Sequence, residues 1–274
     1  MIMNIGEFLS TLPKDVVSGK EAALADAVVR KMLKLAGVRR SDVFYHLGCG
    51  RGNAVAIAAK EFGVRKAVGV EADSRLAAAA RRAVAGLENA EIVKGDPLSN
   101  AADLSKATVV MFMPPSDPDV AEAIAKRLRL LKKKGARLVT VWSPPGMLLP
   151  DRVDFPFIVC KKPFRRARSV RQQIKAVYGT ECIDFTASWL MAERYIDALE
   201  AVPAQYRRFV NMLQSMIIWI NAWNMGVTCE DGVPPPVTTY LGILREFFGI
   251  DLSDMFVRPP KDESMTPPSS KMGC

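Results

Sequence analysis

The run Val43-Phe44-Tyr45-His46-Leu47-Gly48-Cys49-Gly50-Arg51-Gly52 constrains this chain more than any other stretch. A short apolar segment meets three glycines spaced by single residues, and an alanine-rich segment from Ala54 to Phe62 follows, closed by Gly63. The order predicted is strand, tight turn, helix, because glycine lets the backbone turn sharply and approach a ligand where a side chain would clash. A dinucleotide fingerprint needs its third glycine at position 53, which is Asn53. The spacing therefore favours a nucleoside without a pyrophosphate.

The same order repeats along the chain. Lys66 to Val70 is a second strand ended by Glu71, and Ser74 to Ala85 a helix stopped by Gly86. Glu91 to Lys94, Thr108 to Phe112 and Ala136 to Val141 read as strands, with a helix over Val120 to Leu131 between the last two. Ahead of them, Leu24, Ala27, Val28, Met32, Leu33 and Leu35 recur near a helical period within Lys20 to Ala36, and Gly37 ends that helix. Alternating strands and helices predict an α/β fold with a doubly wound, mostly parallel sheet. Phe155 to Cys160 and Val170 to Tyr178 read as two further strands joined by the basic turn Lys161 to Arg168, an antiparallel hairpin completing seven strands. One α/β domain over residues 1–180 is the expectation.

Beyond Gly179 the pattern turns helical, over Phe185 to Val202, Ala204 to Met225 and Thr238 to Phe248, so residues 181–257 are expected to form an α-helical extension. Residues 258–274, rich in proline and without an apolar face, are expected to be a disordered tail. The uncharged stretch Phe209 to Met225 is broken by Asn211, Gln214, Ser215, Asn221 and Asn224. That favours a helix packed in a core or an interface over one crossing a membrane. An apolar face left on the extension suits a homodimer or another partner.

Charge is unevenly spread, with a net of +14 over residues 1–180 and −5 over residues 181–274. A basic front half fits an acidic partner or a solvated lysine-rich surface. Seven cations, Lys161, Lys162, Arg165, Arg166, Arg168, Arg171 and Lys175, fall on the expected hairpin. Such an arm can contact the phosphates of DNA or RNA, hold an acidic patch of a protein substrate, or pair with the acidic extension. Five scattered cysteines without a C-x-x-C pair, and a single histidine, make a metal site unexpected. The odd cysteine count and the lack of a charged-then-apolar leader fit a reducing, cytoplasmic setting.

Three acidic or polar positions fall in register with the glycine turn. Glu71 ends the second strand, where a carboxylate can accept both hydroxyl hydrogens of a ribose, and Asp96 follows the third, where it can accept from an adenine amino group. His46 stands at the end of the first strand, as a neutral donor or acceptor toward the ligand or as a satisfied strand-end residue.

The segments VVRKMLKLAGV, VFYHLGCGRG, KAVGVE, EIVKGD, ATVVMFM and KKKGARLV, between Val28 and Val141, resemble the small archaeal protein-lysine methyltransferases, relatives of the disruptor-of-telomeric-silencing type. The resemblance spans residues 12–180 and leaves the last 95 or so without a counterpart. It implies a class I fold with S-adenosylmethionine as cofactor, held by His46, Gly48, Gly50, Gly52, Glu71 and Asp96, and methyl transfer to lysines of basic, often DNA-associated proteins. Where that family carries acidic residues before and within the glycine turn, this chain has His46 and Arg51. A cation beside a sulfonium is unfavourable unless Arg51 points to solvent.

Met113, Pro114 and Pro115 follow the fourth strand and are expected to line the reacting centre. Methyltransferases acting on planar amines often place Asp or Asn before the two prolines and an aromatic after them; here those places hold Met113 and Ser116. An apolar channel suits a neutral lysine amine, which needs positioning more than acid–base catalysis. Two other readings remain: a methyltransferase-like binding subunit without catalysis, and a nucleic-acid (RNA) methyltransferase.

Overall fold

A computed structural model describes residues 24–99, 103–113, 118–199, 202 and 204–257. Among these, the residues up to Gly179 form one compact unit together with Asp197–Leu199, and Thr180–Ile196 with Val202 onward form another. The expected tail, residues 258–274, lies outside the described residues.

The first unit begins with α1 (Asp26–Leu35), whose cap at Ala36 is followed by Gly37 at φ 63°, as the glycine stop predicts. Then come β1 (Val43–Leu47), α2 (Asn53–Lys60), β2 (Lys66–Glu71), α3 (Ser74–Ala83), β3 (Ala90–Lys94), β4 (Val109–Phe112), α4 (Pro118–Leu128) and β5 (Arg137–Val141). Next are β6 (Arg152–Asp154), β7 (Phe157–Lys161) and α5 (Val170–Tyr178). The seven strands stand in the order β3-β2-β1-β4-β5-β7-β6. Neighbours among β1 to β5 pair in parallel, whereas β7 runs antiparallel to both β5 and β6. This is the doubly wound, mostly parallel sheet expected, with its antiparallel pair at the far edge.

The hairpin is not the one expected. Its first strand is β6, and its second is β7 rather than Val170 to Tyr178, which is helix α5. The β-branched residues and the tyrosine suggested a strand, yet Val170, Ile174 and Val177 recur at helical spacing, and Ile174 and Val177 are buried. The caps agree: Ser169 accepts from the Gln172 N–H at 3.2 Å, and Gly179 closes the helix at φ 79°. The basic residues Lys162 to Arg168 therefore connect β7 to α5 and are not a hairpin turn.

Strand alternation sends successive side chains to opposite faces of the sheet. On one face Val43, Tyr45 and Leu47 of β1 join Ile124 and Leu128 of α4 and Val177 of α5 in a single buried cluster. On the other, a Cβ at Gly69 would lie 2.7 Å from Cys49 Sγ and 2.9 Å from Val55 Cγ2, so α2 packs directly on the backbone of β2 there. Cys49 and Cys160 are buried thiols, each pushed up to about 12, chiefly by loss of water.

The second unit is helical, as expected after Gly179. It holds α6 (Phe185–Leu199), which runs on into the three residues grouped with the first unit, then α7 (Arg207–Asn224) and α8 (Pro235–Phe248). Pro235 and Pro236 open α8, which starts before the expected Thr238, since proline suits a first helical turn that needs no N–H donor. Met216, Trp219, Ile220 and Trp223 of α7 pack with Val237 and Leu244 of α8, and the two tryptophan rings stack at 5.5 Å. The polar stripe of α7 is divided: Asn211 and Ser215 are buried, Ser215 donating to the Met212 carbonyl at 2.8 Å, while Asn221 is exposed. No helix among the described residues is long and apolar enough to cross a membrane.

Cys182 and Cys229 are joined in a disulfide across 47 residues. The partners are far apart in sequence, and a bridge between Ile183 and Thr228 brings them together. Closing a loop of this length stabilises the unit by about 4 kcal/mol in the chain-entropy view.

Candidate functional site

The site sits at the carboxyl ends of β1, β2 and β3, where parallel α/β sheets leave a crevice. Gly48 and Cys49 both donate to the Val70 carbonyl, at 2.9 and 3.0 Å, tying the turn after β1 to the end of β2. Gly48 and Gly50 adopt φ of 73° and 56°, and a Cβ on either would meet nothing within 4 Å among the described residues. Both therefore present bare backbone to open space. Gly52 differs: a Cβ there would lie 2.9 Å from Cα of Ala80, so its role is to let α2 and α3 approach. The triplet thus splits into two glycines that face space and one that packs.

Glu71 holds the turn. It is 8% exposed, and its carboxylate accepts from the Gly50 N–H at 2.8 Å and from the Asp73 N–H at 2.9 Å, one to each oxygen. Each oxygen keeps a lone pair for a further donor. The Glu71 carbonyl accepts from the Gly95 N–H at 2.9 Å, which sets Asp96 beside it at the end of the next strand. Asp96 is exposed, with Oδ1 accepting from the Leu98 N–H at 2.8 Å. Glu71 and Asp96 therefore come to one edge, as the spacing predicts.

His46 lies between Gly69 of β2 and Met111 of β4 in the register of the sheet. It is buried, and neither ring nitrogen has a hydrogen-bond partner among the described residues. Loss of water lowers its pKa to about 4, so the ring is neutral near pH 7. A neutral imidazole buried without a partner is a polar group awaiting one. Open space at Gly48 and Gly50, the orphaned imidazole and a carboxylate at the end of β2 fit a nucleoside cofactor with an amino-acid arm. Arg51 is exposed.

Met113 follows β4 and is half-buried, while Pro114 and Pro115 lie outside the described residues. The sequence reading missed the residue at the neighbouring strand end. Trp142 follows β5 at φ 68°, a conformation strained for a bulky side chain. It is fixed from two sides: its N–H donates to the Pro156 carbonyl at 2.8 Å, and the Tyr178 hydroxyl donates to its carbonyl at 3.0 Å. Its ring lies 5.5 Å from Phe155 and 6.1 Å from Tyr178. A tryptophan closing a buried strand was the available signal.

The arm cations are placed elsewhere. Lys161 ends β7 and is exposed, and the Lys162 ammonium donates to the Leu131 carbonyl. Arg165, Arg166 and Arg168 are exposed, and Arg166 reaches Glu122 at 3.9 Å. No group of three metal-ligating side chains occurs among the described residues.

Residues 44–135 match a family model described as a methyltransferase domain. Over 137 residues the chain is 42% identical to a protein-lysine N-methyltransferase of Saccharolobus islandicus (strain REY15A), a match covering 45% of this chain and 80% of that protein. Among solved structures, an RNA methyltransferase from Salinibacter ruber in complex with S-adenosyl-L-homocysteine is 30% identical. That match covers 54% of this chain and 99% of the other, with a TM-score of 0.48. Geranyl diphosphate C-methyltransferase from Streptomyces coelicolor A3(2) is 21% identical, covering 42% of this chain and 44% of its own, with a TM-score of 0.38. With four-fifths of a methyltransferase matched at 42% identity, and the matched domain running from β1 past the glycine turn and Glu71, this chain belongs to the S-adenosylmethionine-dependent methyltransferases.

Proposed function

We propose that this methyltransferase acts on lysine side chains of basic proteins. The observation that carries this reading is the apolar end of β4: Met113 stands where a planar amine would need a polar acceptor. Met111 pairs with Val139, so Met113 and Trp142 fall at neighbouring strand ends. These two side chains would wall the path of the acceptor. An amine entering between them loses water, which favours its neutral, nucleophilic form. The likeness to the Saccharolobus islandicus lysine methyltransferase supports the same acceptor.

S-adenosylmethionine supplies the electrophilic methyl group on its sulfonium. On this reading Gly48 and Gly50 admit the cofactor against bare backbone, Glu71 takes its ribose hydroxyls and Asp96 its adenine amino group. His46 meets its methionine end as an uncharged partner. Gly52 contributes by seating the turn on α3. No side chain needs to act as a strong base, because proximity and alignment supply most of the rate.

Transfer of radiolabelled methyl tests the proposal, with polylysine, a basic DNA-associated protein, duplex DNA and RNA offered in parallel. Label recovered as methyl-lysine is the expected result. Label in RNA or DNA alone would overturn the acceptor and leave a nucleic-acid methyltransferase. Cofactor binding without transfer to any of the four would make the chain a binding subunit.

A further inference from the structure

We propose that the amino-terminal edge of the sheet, opposite the cofactor turn, carries a groove for the phosphodiester backbone of a nucleic acid. Two adjoining cavities of about 360 and 400 Å³ lie there, sharing Gly135, Asp151 and Lys161 in their walls. The first is bounded by the end of α1, the entry to β1 and the starts of β5 and β6. The second continues along Lys134 and the residues that follow β7. The five residues of β1 separate this edge from Gly48, about 16 Å at ~3.3 Å per residue.

The walls are strongly basic. Seven Lys or Arg side chains line the pair, against two carboxylates, Asp42 and Asp151. Both acids are already engaged: Asp42 holds Arg137 and accepts from Thr108 Oγ1 at 2.7 Å, and Asp151 accepts from the Lys161 N–H at 2.6 Å. Among the described residues the other cations are not neutralised: Arg152 and Arg165 reach only backbone carbonyls, of Leu35 at 3.1 Å and Pro150 at 3.4 Å. Arg39, Lys134 and Lys161 have no carboxylate within ion-pair distance among the described residues. Concave walls of one sign focus potential on an anion.

The rest of the lining decides which anion. Its apolar members are Ala36, Val159 and Pro163, with no aromatic or large aliphatic side chain. A protein partner would need such an anchor to seat its central contact, and a base would need a ring to stack on. A phosphate backbone needs neither, only cations and donors in a channel. The groove therefore binds without reading sequence. It is a strand length from the methyl-transfer edge, so the phosphates held there tether the nucleic acid and are not themselves the methyl acceptor; this holds whichever acceptor is correct.

Fluorescence anisotropy of labelled duplex DNA and of duplex RNA of equal length tests this, titrated with the full chain from about 50 to 200 mM salt. The variant Lys134→Ala with Lys161→Ala removes two free cations. It should flatten the salt slope by about 1.8 and weaken binding roughly thirtyfold near 0.15 M salt, from ~0.9 per phosphate contact. Preference between the two duplexes names the source of the phosphates. The control is Arg81→Ala with Arg82→Ala, which removes the same charge from exposed positions of α3; it should change binding far less. Equal losses in both variants would overturn the groove in favour of net charge alone. Polyglutamate displacing either duplex at equal charge would overturn it in favour of an acidic protein. Circular dichroism, and unchanged methylation of a short lysine peptide, confirm that the double variant is folded and active.

Discussion

The two ends of the central strands are built to opposite rules. At the amino end of β1 and β5, Arg137 donates to the Ala36 and Gly37 carbonyls at 2.9 and 2.7 Å and closes on Asp42, which also accepts from the Arg39 N–H at 2.7 Å. At the carboxyl end, among the described residues, two glycines face open space and both nitrogens of His46 are unpartnered. At the amino end the buried polar groups, Arg137 and Asp42, are knitted to hold the sheet and only surface cations stay free, whereas the carboxyl end keeps buried polar capacity unspent. Binding sites are where a fold leaves donors and acceptors for something other than itself. Stability and cofactor binding should therefore respond to different residues, although strands of only five or six residues connect them.

The largest effect expected is on stability. Asp42→Ala would leave the Arg137 guanidinium, 17% exposed, without its carboxylate. Breaking such a pair costs about 3–5 kcal/mol, read by chemical denaturation of the α/β unit. Cofactor affinity of the folded variant, measured by calorimetry, should stay within twofold. A large loss of affinity would mean that the two edges are coupled after all.

Next is Glu71→Ala, where the direction reverses. The carboxylate that braces the Gly50 and Asp73 N–H groups disappears, and with it the proposed acceptor for the ribose. Cofactor affinity should fall about a hundredfold, close to 3 kcal/mol, since hydrogen bonds to charged groups contribute roughly 1.5–3 kcal/mol each. Glu71→Gln, keeping one acceptor oxygen, should recover part of it. An unaltered titration would remove Glu71 from the site.

Much of this division was legible in the sequence, and the exceptions are instructive. Glycine spacing, strand endings and caps are local, so the turn, the places of Glu71 and Asp96 at strand ends and the succession of the first five strands along the chain could be read directly. Which glycine meets a ligand was not local: Gly52 is explained only by Ala80, 28 positions away. The misplaced hairpin had another cause. β6 has three residues, too few for a period to show, whereas Val170 to Tyr178 offered β-branched residues whose helical spacing and caps decided against a strand. The pairing of Cys182 with Cys229 likewise depends on a fold that brings residues 47 apart together.

His46 sharpens the comparison through pH. Its folded pKa of about 4 lies below the ordinary histidine value near 6.5, so the unfolded chain binds more protons between them. Stability on this account is fully present above about pH 6.5 and is lost as pH falls toward 4. The loss is roughly 2 kcal/mol by pH 5. His46→Phe should remove that part of the pH dependence while leaving the amino edge intact. If the wild-type and variant denaturation curves shift in parallel from pH 7 to 5, the imidazole is not buried neutral as the geometry requires.

Arg51 should have the smallest effect, and its smallness is informative. It lies inside the glycine turn yet is exposed, so its charge is screened by water rather than aimed at the cofactor. At a separation of about 10 Å in a water-like dielectric, repulsion of one positive charge by another is only ~0.4 kcal/mol. Arg51→Ala should therefore raise cofactor affinity no more than about twofold, and should move stability by less than ~0.5 kcal/mol, as for ordinary surface positions. The small gain should disappear as salt rises, because exposed charges are screened beyond a Debye length. A gain of tenfold or more that survives high salt would mean that the guanidinium turns inward on binding. The open edge would then contain a built-in penalty against its own cofactor, and the comparison between a finished and an unfinished edge would have to be redrawn at residue 51.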